Sequence, residues 1–333
     1  MIKILLTHPP ELREKYYGAP ALARLRELAE VRLHTSEAAL GPDALVAAAR
    51  GADVIIADRL TAVPASVFHA LPALQAVLRC AVDIRNIDLA AASEAGVLVT
   101  RASPGFVASV VELALGYLVD LSRGISRSAA AYHAGATQPP AFMGRQLAGS
   151  TLGIIGYGSI GRALAPLAAA LGMAVLIADP YAVIDDARFI KVPLGELLAR
   201  SDYVVCLAMA SPETENLINA EALATMRPTA FFINLARGSL VDEAALAAAL
   251  IAGRIAGAAM DVGRAPDEMP SPALARLPNV IATPHIGGLT PPAALHQALD
   301  TVAQVSALLA GEIPQGAMNP EAWTRRRYVA PGP

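Results

Sequence analysis

The chain has 333 residues, carries a net charge of −3 and is 55% hydrophobic, long enough for two domains. Its near balance of 26 basic and 29 acidic residues argues against a nucleic-acid or anionic-membrane partner. The longest apolar stretch, Ala163 to Ala178, contains Pro166 and Gly172 and falls short of the roughly 20 residues that cross a bilayer.

The N-terminal MIKILLTHPP reads as a first strand (Ile2–Leu6) and turn rather than a signal peptide. Further strands are predicted near Val31–His34, Val54–Ala57, Ala76–Arg79 and Val97–Thr100, with helices between them, for instance Pro42–Arg50 and Asp88–Ala95. This alternation is the pattern of α/β architecture with parallel sheets, and these elements complete a small doubly wound domain. A helix over Val107–Ser122 is apolar nearly all round, which predicts burial. The Gly-, Pro- and Gln-containing His133–Gly149 reads as a loop. Cys80 and Cys206 lie in apolar strand-like runs, as buried free thiols do in a reducing cytoplasm. No Cys/His cluster has metal-ligand spacing, so no metal is expected.

The stretch TLGIIGYGSIGRALAPLAAALGMAVLIAD (Thr151–Asp179) is more specific. An apolar run, Leu152–Ile155, enters Gly156-Tyr157-Gly158-Ser159-Ile160-Gly161; an alanine-rich helical pattern and a second apolar run, Met173–Ala178, then lead to Asp179. The acid falls 18 residues after Gly161, close to the spacing of about 20 in dinucleotide-binding βαβ units. In such a unit Gly156 makes the tight turn, Gly158 clears the backbone for the pyrophosphate, and Gly161 lets the helix pack on the strand. The helix N-terminus offers N–H groups to the phosphates. Asp179 would accept from the adenosine ribose hydroxyls and repel a 2′-phosphate, which favours NAD over NADP.

Beyond Asp179, strands are predicted near Tyr203–Leu207, Phe231–Leu235, Ala258–Val262 and Val280–Ala282. A last helix starts at Thr290-Pro291-Pro292, with threonine at the N-cap and proline in the first turn, runs through Leu309 and stops at Gly311. The dinucleotide unit therefore begins mid-chain: either two domains follow in series, or the chain returns to the first at its end. The tail TRRRYVAPGP reads as a solvated terminus.

Three segments carry candidate chemistry. In FFINLARGSLVDEAAL, Arg237 follows a strand end, where open α/β sheets bind ligands; a guanidinium there can fork onto a carboxylate. GAAMDVGRAPDEMP is another strand end, followed by a loop bearing Asp267 and Glu268. In NVIATPHIGGLTPP, His285 sits between a strand and two glycines. The other five histidines, His8, His34, His69, His133 and His296, read as structural.

Together GYGSIG, NLARGSLVD and TPHIGG, in this order and spacing, resemble the D-isomer-specific 2-hydroxyacid dehydrogenases, and the similarity runs from NIDLAAASEAGVLVT to GEIPQGAMNP. The resemblance implies a Rossmann NAD-binding domain (residues 101–288) inserted into a discontinuous flavodoxin-like substrate domain (1–100 and 289–333). It also implies an active site in the cleft and a homodimer formed through the cofactor domain. Hydride would pass between substrate C2 and the nicotinamide. His285 would be the acid/base, with Arg237 orienting and polarising a small 2-oxo acid. Cofactor contacts are implied for Ser109, Gly156, Gly158, Ser159, Ile160, Gly161, Asp179, Ala208, Met209, Thr214, Leu235, Ala236, Asp261 and Gly287, and substrate contacts for Ala81, Val82, Asp83 and Arg237. The chain is read as a short member without the C-terminal regulatory domain of long phosphoglycerate dehydrogenases.

Two departures from the family pattern stand out. The family glutamate that pairs with the histidine falls five residues after the aspartate of the DV motif, and here that position is Pro266. Asp267, one residue later, is the favoured replacement, with Glu268 next. In the substrate loop Cys80–Asn86, Asp83 replaces a glycine and Arg85 an aspartate. A carboxylate at Asp83 facing a substrate carboxylate at about 4 Å costs roughly 1 to 4 kcal/mol. Three arrangements avoid this: Asp83 points away, it pairs with Arg85, or the substrate brings a donor group. The rival reading is an NAD(H)-sensing, corepressor-like protein on the same fold, since fold alone does not assign activity. A formate- or phosphite-type activity is the weaker enzymatic alternative.

Overall fold

Short apolar runs become strands buried on both faces, and the helices between them cover those faces. The computed structural model describes residues 1–327. The chain divides into two units: Met1–Phe106 with the segment from Leu289 onward, and Val107–Gly288. The first unit thus continues past residue 100 to Phe106.

In the first unit β1 (Ile2–Leu6), β2 (Ala29–Leu33), β3 (Val54–Ala57), β4 (Ala76–Arg79) and β5 (Leu98–Arg101) form a parallel sheet in the order β2-β1-β3-β4-β5, the flavodoxin-like arrangement. Helices α1 (Pro10–Tyr16), α2 (Ala19–Leu28), α3 (Pro42–Ala49), α4 (Ala65–Ala70) and α5 (Leu89–Glu94) connect the strands. Side chains alternate between faces. Ile4, Leu6, Val54 and Ile56 point into one core, and Leu5, Ile55 and Ala57 into the other. The first core is completed only by the returning helix Pro291–Leu309, which adds Ala298, Val302, Val305 and Leu308 at helical spacing. That need for a cover explains why the domain is discontinuous in sequence.

The chain after that helix closes the edge strand β5. Thr100 bridges Ala317 in antiparallel fashion. The buried Asn319 accepts from Val99 N–H at 2.8 Å and donates to Val97 O at 2.9 Å and Ser93 Oγ at 3.0 Å. The expectation of a solvated tail fails through Arg327. Arg325 donates to Leu71 O at 2.8 Å, and Arg327 pairs with Asp53 at 2.9 Å. These arginines satisfy a loop carbonyl and a carboxylate far away in sequence, which composition does not reveal. The remainder of that tail, 328–333, lies outside the described residues.

The second unit has a seven-stranded parallel sheet of β6 (Thr151–Ile155), β7 (Ala174–Ala178), β8 (Phe189–Lys191), β9 (Tyr203–Cys206), β10 (Phe231–Asn234), β11 (Gly257–Met260) and β12 (Val280–Ala282). Its order is β12-β11-β10-β9-β6-β7-β8, so the strand order, not the strand direction, reverses between β6 and β9, where open α/β sheets bind ligands. The helices are α6 (Val107–Arg123), α7 (Ile125–His133), α8 (Ser159–Ala170), α9 (Leu194–Arg200), α10 (Ala220–Thr225), α11 (Glu243–Ile251) and α12 (Pro272–Ala275), and the returning helix of the first unit is α13. No helix among the described residues is long and apolar enough to cross a membrane.

Helix α6 is not buried all round. Val110, Ala114, Tyr117, Leu118 and Leu121 are buried, while Ala108, Glu112, Gly116, Val119 and Arg123 form an exposed stripe. Three of those five are small or aliphatic, so the stripe reads as apolar although it faces outward. Helix α7 and the three-residue strand β8 were not foreseen from the sequence.

Replacing Asn319 with alanine leaves the buried Val99 N–H and Val97 carbonyl without these partners. The expected loss is about 2–3 kcal/mol, read as an earlier denaturant transition. An unchanged midpoint contradicts the proposed staple.

Candidate active site

The glycine turn follows β6. Gly156 has φ +91, and a Cβ there would lie 2.7 Å from Ala208 backbone atoms, so only glycine permits both the turn and the approach of the segment after β9. A Cβ on Gly161 would meet Gly156 O at 2.5 Å, which fixes the close packing of α8. A Cβ on Gly158 would meet nothing within 4 Å. Nothing in the protein requires glycine at 158, and the space left open there suits a pyrophosphate next to the α8 N-terminus, where Ser159 and Ile160 present their N–H groups. Asp179, just after β7, accepts from Tyr157 N–H at 2.7 Å, Tyr181 N–H at 2.9 Å and Ala182 N–H at 3.0 Å. Partial burial raises its pKa, but these hydrogen bonds and the charge of Lys191 outweigh that and hold the carboxyl below its ordinary range. Three donors leave acceptor capacity for a ribose hydroxyl. The residues present therefore fit a dinucleotide.

The other cofactor candidates lie in the same unit, several of them at strand ends. Ala208 and Met209 follow β9, with Met209 81% exposed. Thr214 lies in a short 3₁₀ turn, where its hydroxyl accepts from Ser211 N–H at 2.8 Å and donates to Met209 O at 2.9 Å. Leu235 and Ala236 follow β10 and are buried. Ser109 lies in the first turn of α6.

Arg237 is placed by Asn234, a fully buried residue that accepts from Ala236 N–H at 3.1 Å and donates to Arg237 O at 3.0 Å. A Cβ on the next residue, Gly238, would sit 2.1 Å from Gly263 O, so the loops after β10 and β11 touch backbone to backbone. The β11 loop closes through Gly263 N–H to Glu268 O at 2.8 Å and carries Asp267 and Glu268 at φ +59 and +58. Glu268 Oε2 lies 3.5 Å from Arg237 Nε.

His285 follows β12 at φ +55, a conformation that costs a side-chain-bearing residue about 1–2 kcal/mol. Its N–H donates to Asp261 O and Thr283 O, both at 3.0 Å. Asp261, 2% exposed, accepts at Oδ1 from Ile286 N–H at 2.8 Å and Thr283 Oγ1 at 2.5 Å, and at Oδ2 from Gly287 N–H at 2.7 Å. Three of the four non-glycine residues with positive φ among the described residues are Asp267, Glu268 and His285, the clustering that functional sites show. The group 3.2 Å from His285 Nδ1 is the main-chain oxygen of Asp267; the recorded Glu268 ion pair is with Arg237. The left-handed pair at 267–268 turns a carbonyl toward the imidazole, an outcome that residue spacing does not convey. A carbonyl only accepts, so in this contact Nδ1 is the donor.

In the first unit the loop Ala81–Asp83 follows β4. Arg79, 4% exposed, donates from Nε to Asp83 O at 2.8 Å and from its guanidinium to Asp58 O. Asp83 accepts from Arg85 N–H at 2.8 Å and is ion-paired with the Arg85 guanidinium. Of the three arrangements that spare a substrate carboxylate from Asp83, the pairing is therefore present. Partial burial raises the Asp83 pKa, but the hydrogen bonds and charge of Arg85, with Arg79, bring the carboxyl below its ordinary value. His8 beside them is pushed down to about 4 by burial, the Asp58 charge only partly opposing this, and is neutral at physiological pH.

Arg79, Asp58, Tyr117 and Thr283 were not singled out in the sequence. Arg79 ends an apolar strand and Tyr117 lies within a helical apolar pattern, so both read as ordinary core positions.

Residues 115–287 match the family described as D-isomer specific 2-hydroxyacid dehydrogenase, NAD binding domain. The chain is 37% identical over 296 residues to a D-3-phosphoglycerate dehydrogenase of Mycobacterium leprae, covering 87% of this chain and 56% of that protein. It is 38% identical over 250 residues to an (S)-sulfolactate dehydrogenase of Chromohalobacter salexigens, covering 74% and 81%. The crystal structure of TT0316 protein from Thermus thermophilus superposes with a TM-score of 0.84 at 31% identity, covering 95% and 100%. The chain spans about half the length of the phosphoglycerate dehydrogenases it matches. With its dinucleotide turn, its two doubly wound units and these matches, the chain belongs to the D-isomer-specific 2-hydroxyacid dehydrogenase family.

Proposed function

We propose that the protein is an NAD-dependent dehydrogenase that interconverts a small D-2-hydroxy acid and its 2-oxo acid. The observation that carries this reading is the presence of Arg237 and His285 after β10 and β12, with the Asp267–Glu268 loop after the intervening strand β11. A protein that only senses NAD(H) needs neither side chain, and nothing in the site favours that rival. NAD(H), when bound, supplies or accepts the hydride. Arg237 takes the substrate carboxylate and stabilises charge growing on the C2 oxygen. His285 gives a proton from Nε2 to that oxygen in reduction and removes it in oxidation. Asp267 holds the imidazole through its carbonyl, and Glu268 restrains Arg237. Ala81, Val82 and Asp83 form the substrate loop, with Asp83 neutralised by Arg85.

The names of two relatives describe 2-hydroxy acids with a second anionic group, a phosphate or a sulfonate, so such acids belong among the candidate substrates. The reading includes a homodimer formed through the cofactor unit, supported by exposed Val119, Ile125, Tyr132, Phe142 and Met143 on that unit. It also includes a cytoplasmic setting, supported by the two buried thiols Cys80 and Cys206.

Turnover is tested by NADH oxidation with glyoxylate, pyruvate, hydroxypyruvate, phenylpyruvate, 3-phosphohydroxypyruvate and sulfopyruvate. At least one should be reduced, and His285→Ala should lower kcat by about 10²–10⁴-fold with NADH affinity retained. Tight NADH binding with no turnover on any of them contradicts the proposal. For Asp179→Ser, the ratio of NADPH to NADH affinity should rise by about tenfold, equivalent to 1.4 kcal/mol; an unchanged ratio removes Asp179 as the discriminating group.

A further inference from the structure

We infer that Tyr117 and Thr283 are positioning residues for the His285 imidazole, acting through Asp261. The inference rests on the acid/base role proposed for His285. Neither hydroxyl is hydrogen-bonded to the imidazole. Their effect passes along a chain of hydrogen bonds that ends on the peptide groups flanking it.

The direction of the chain follows from counting protons. Asp261 offers only acceptors when ionised, so Thr283 Oγ1 donates its one proton to Asp261 Oδ1 at 2.5 Å. The Thr283 oxygen is then the acceptor toward Tyr117, whose hydroxyl hydrogen-bonds to it. Tyr117 is 3% exposed, and burial raises its pKa, partly countered by the bond to Thr283. The phenol therefore keeps its proton and stays a donor throughout the range in which a dehydrogenase is assayed.

The end of the chain is the loop that carries His285. Asp261 holds Ile286 N–H at 2.8 Å and Gly287 N–H at 2.7 Å, and its main-chain oxygen takes the His285 N–H at 3.0 Å. Thr283, Ile286 and Gly287 bracket the histidine on both sides, and all three are fastened to this one carboxylate. The left-handed φ of +55 at His285 relaxes unless those contacts persist. A Cβ on Gly287 would come 2.9 Å from Asp261 Oδ2, so glycine at 287 is what lets the carboxylate approach these N–H groups. Without the Tyr117 hydroxyl, Thr283 loses the donor that orients it, and with it the directed bond to Oδ1. A phenylalanine would fill the same apolar space on α6. The hydroxyl is the part of Tyr117 that packing does not explain, because a buried phenol requires a partner, and here that partner is Thr283.

Single-turnover hydride transfer from saturating NADH to the best 2-oxo acid tests this in Thr283→Val, Thr283→Ser, Tyr117→Phe and His285→Ala. Loss of the Thr283 hydroxyl in Thr283→Val should slow the chemical step by about tenfold or more, because small displacements of an acid/base are costly. Thr283→Ser should recover to within about threefold of wild type, and Tyr117→Phe should fall between. NADH affinity should stay within about twofold in all of them. Thr283→Val and Tyr117→Phe both at the wild-type rate would overturn the inference. So would a loss confined to NADH affinity, which would assign the network to cofactor binding, or a failure of Thr283→Ser to recover the rate. If Thr283→Val does not fold, Tyr117→Phe, which keeps the ring, decides alone. Retained turnover in His285→Ala would instead overturn the underlying reading of His285.

Discussion

The Asp261 carboxylate is the constraint on which the candidate active site depends. Burying an ionised carboxylate costs several kcal/mol unless its oxygens are satisfied, and here the donors come from the loop after β12. Satisfying one charge at the end of β11 therefore determines the path of the neighbouring chain. The path has two local consequences. Residue 287 has no room for a side chain, and His285 adopts a backbone conformation that it would not choose by itself. The β10 loop is locked to the β11 loop by a different device, the backbone contact of Gly238 with Gly263. Arg237, the Asp267–Glu268 turn and His285 thus occupy adjacent strand ends, joined by short, directional contacts rather than by side-chain packing.

The first unit uses the same logic with the opposite sign of charge. Arg79 is a buried cation whose pKa burial lowers, with Asp58 opposing. Its fork holds the carbonyls of Asp58 and Asp83, tying the end of β3 to the loop after β4. Asp58 in turn accepts from the hydroxyls of Thr7, at 3.0 Å, and Thr61. The loop after β4, the proposed substrate loop, is therefore anchored by hydrogen bonds from the buried Arg79. Its one acidic side chain is already paired with Arg85.

Much of this was legible in the sequence because strands in parallel sheets are continuous apolar runs with glycine or charged ends. Val54–Ala57, Ala76–Arg79 and Val280–Ala282 lie at the expected residues, and the glycine turn has the geometry its spelling implies. Spelling and spacing placed Arg237 and His285 just after strands, and the resemblance to the family exposed the two departures from its pattern. Pairings between loops were not legible. The Asp267 carbonyl facing His285, the Glu268–Arg237 pair and the docking of Arg325 and Arg327 depend on chain direction at particular dihedrals. Residue identity does not carry that information. Helix α6 was misread for a different reason: alanine, glycine and valine are apolar by composition but impose little cost when exposed. Tyr117 stayed hidden because a buried tyrosine and a buried phenylalanine give the same periodic signal.

If Arg237 grips the carboxylate while His285 meets the carbonyl oxygen from two strand ends away in the sheet, the 2-oxo acid is bound in one orientation. Hydride then reaches a single face of C2. The most direct measurement is chiral chromatography of the 2-hydroxy acid formed from NADH and whichever 2-oxo acid other than glyoxylate, whose product is achiral, is turned over fastest. The account predicts the D product alone; an L or racemic product would contradict it.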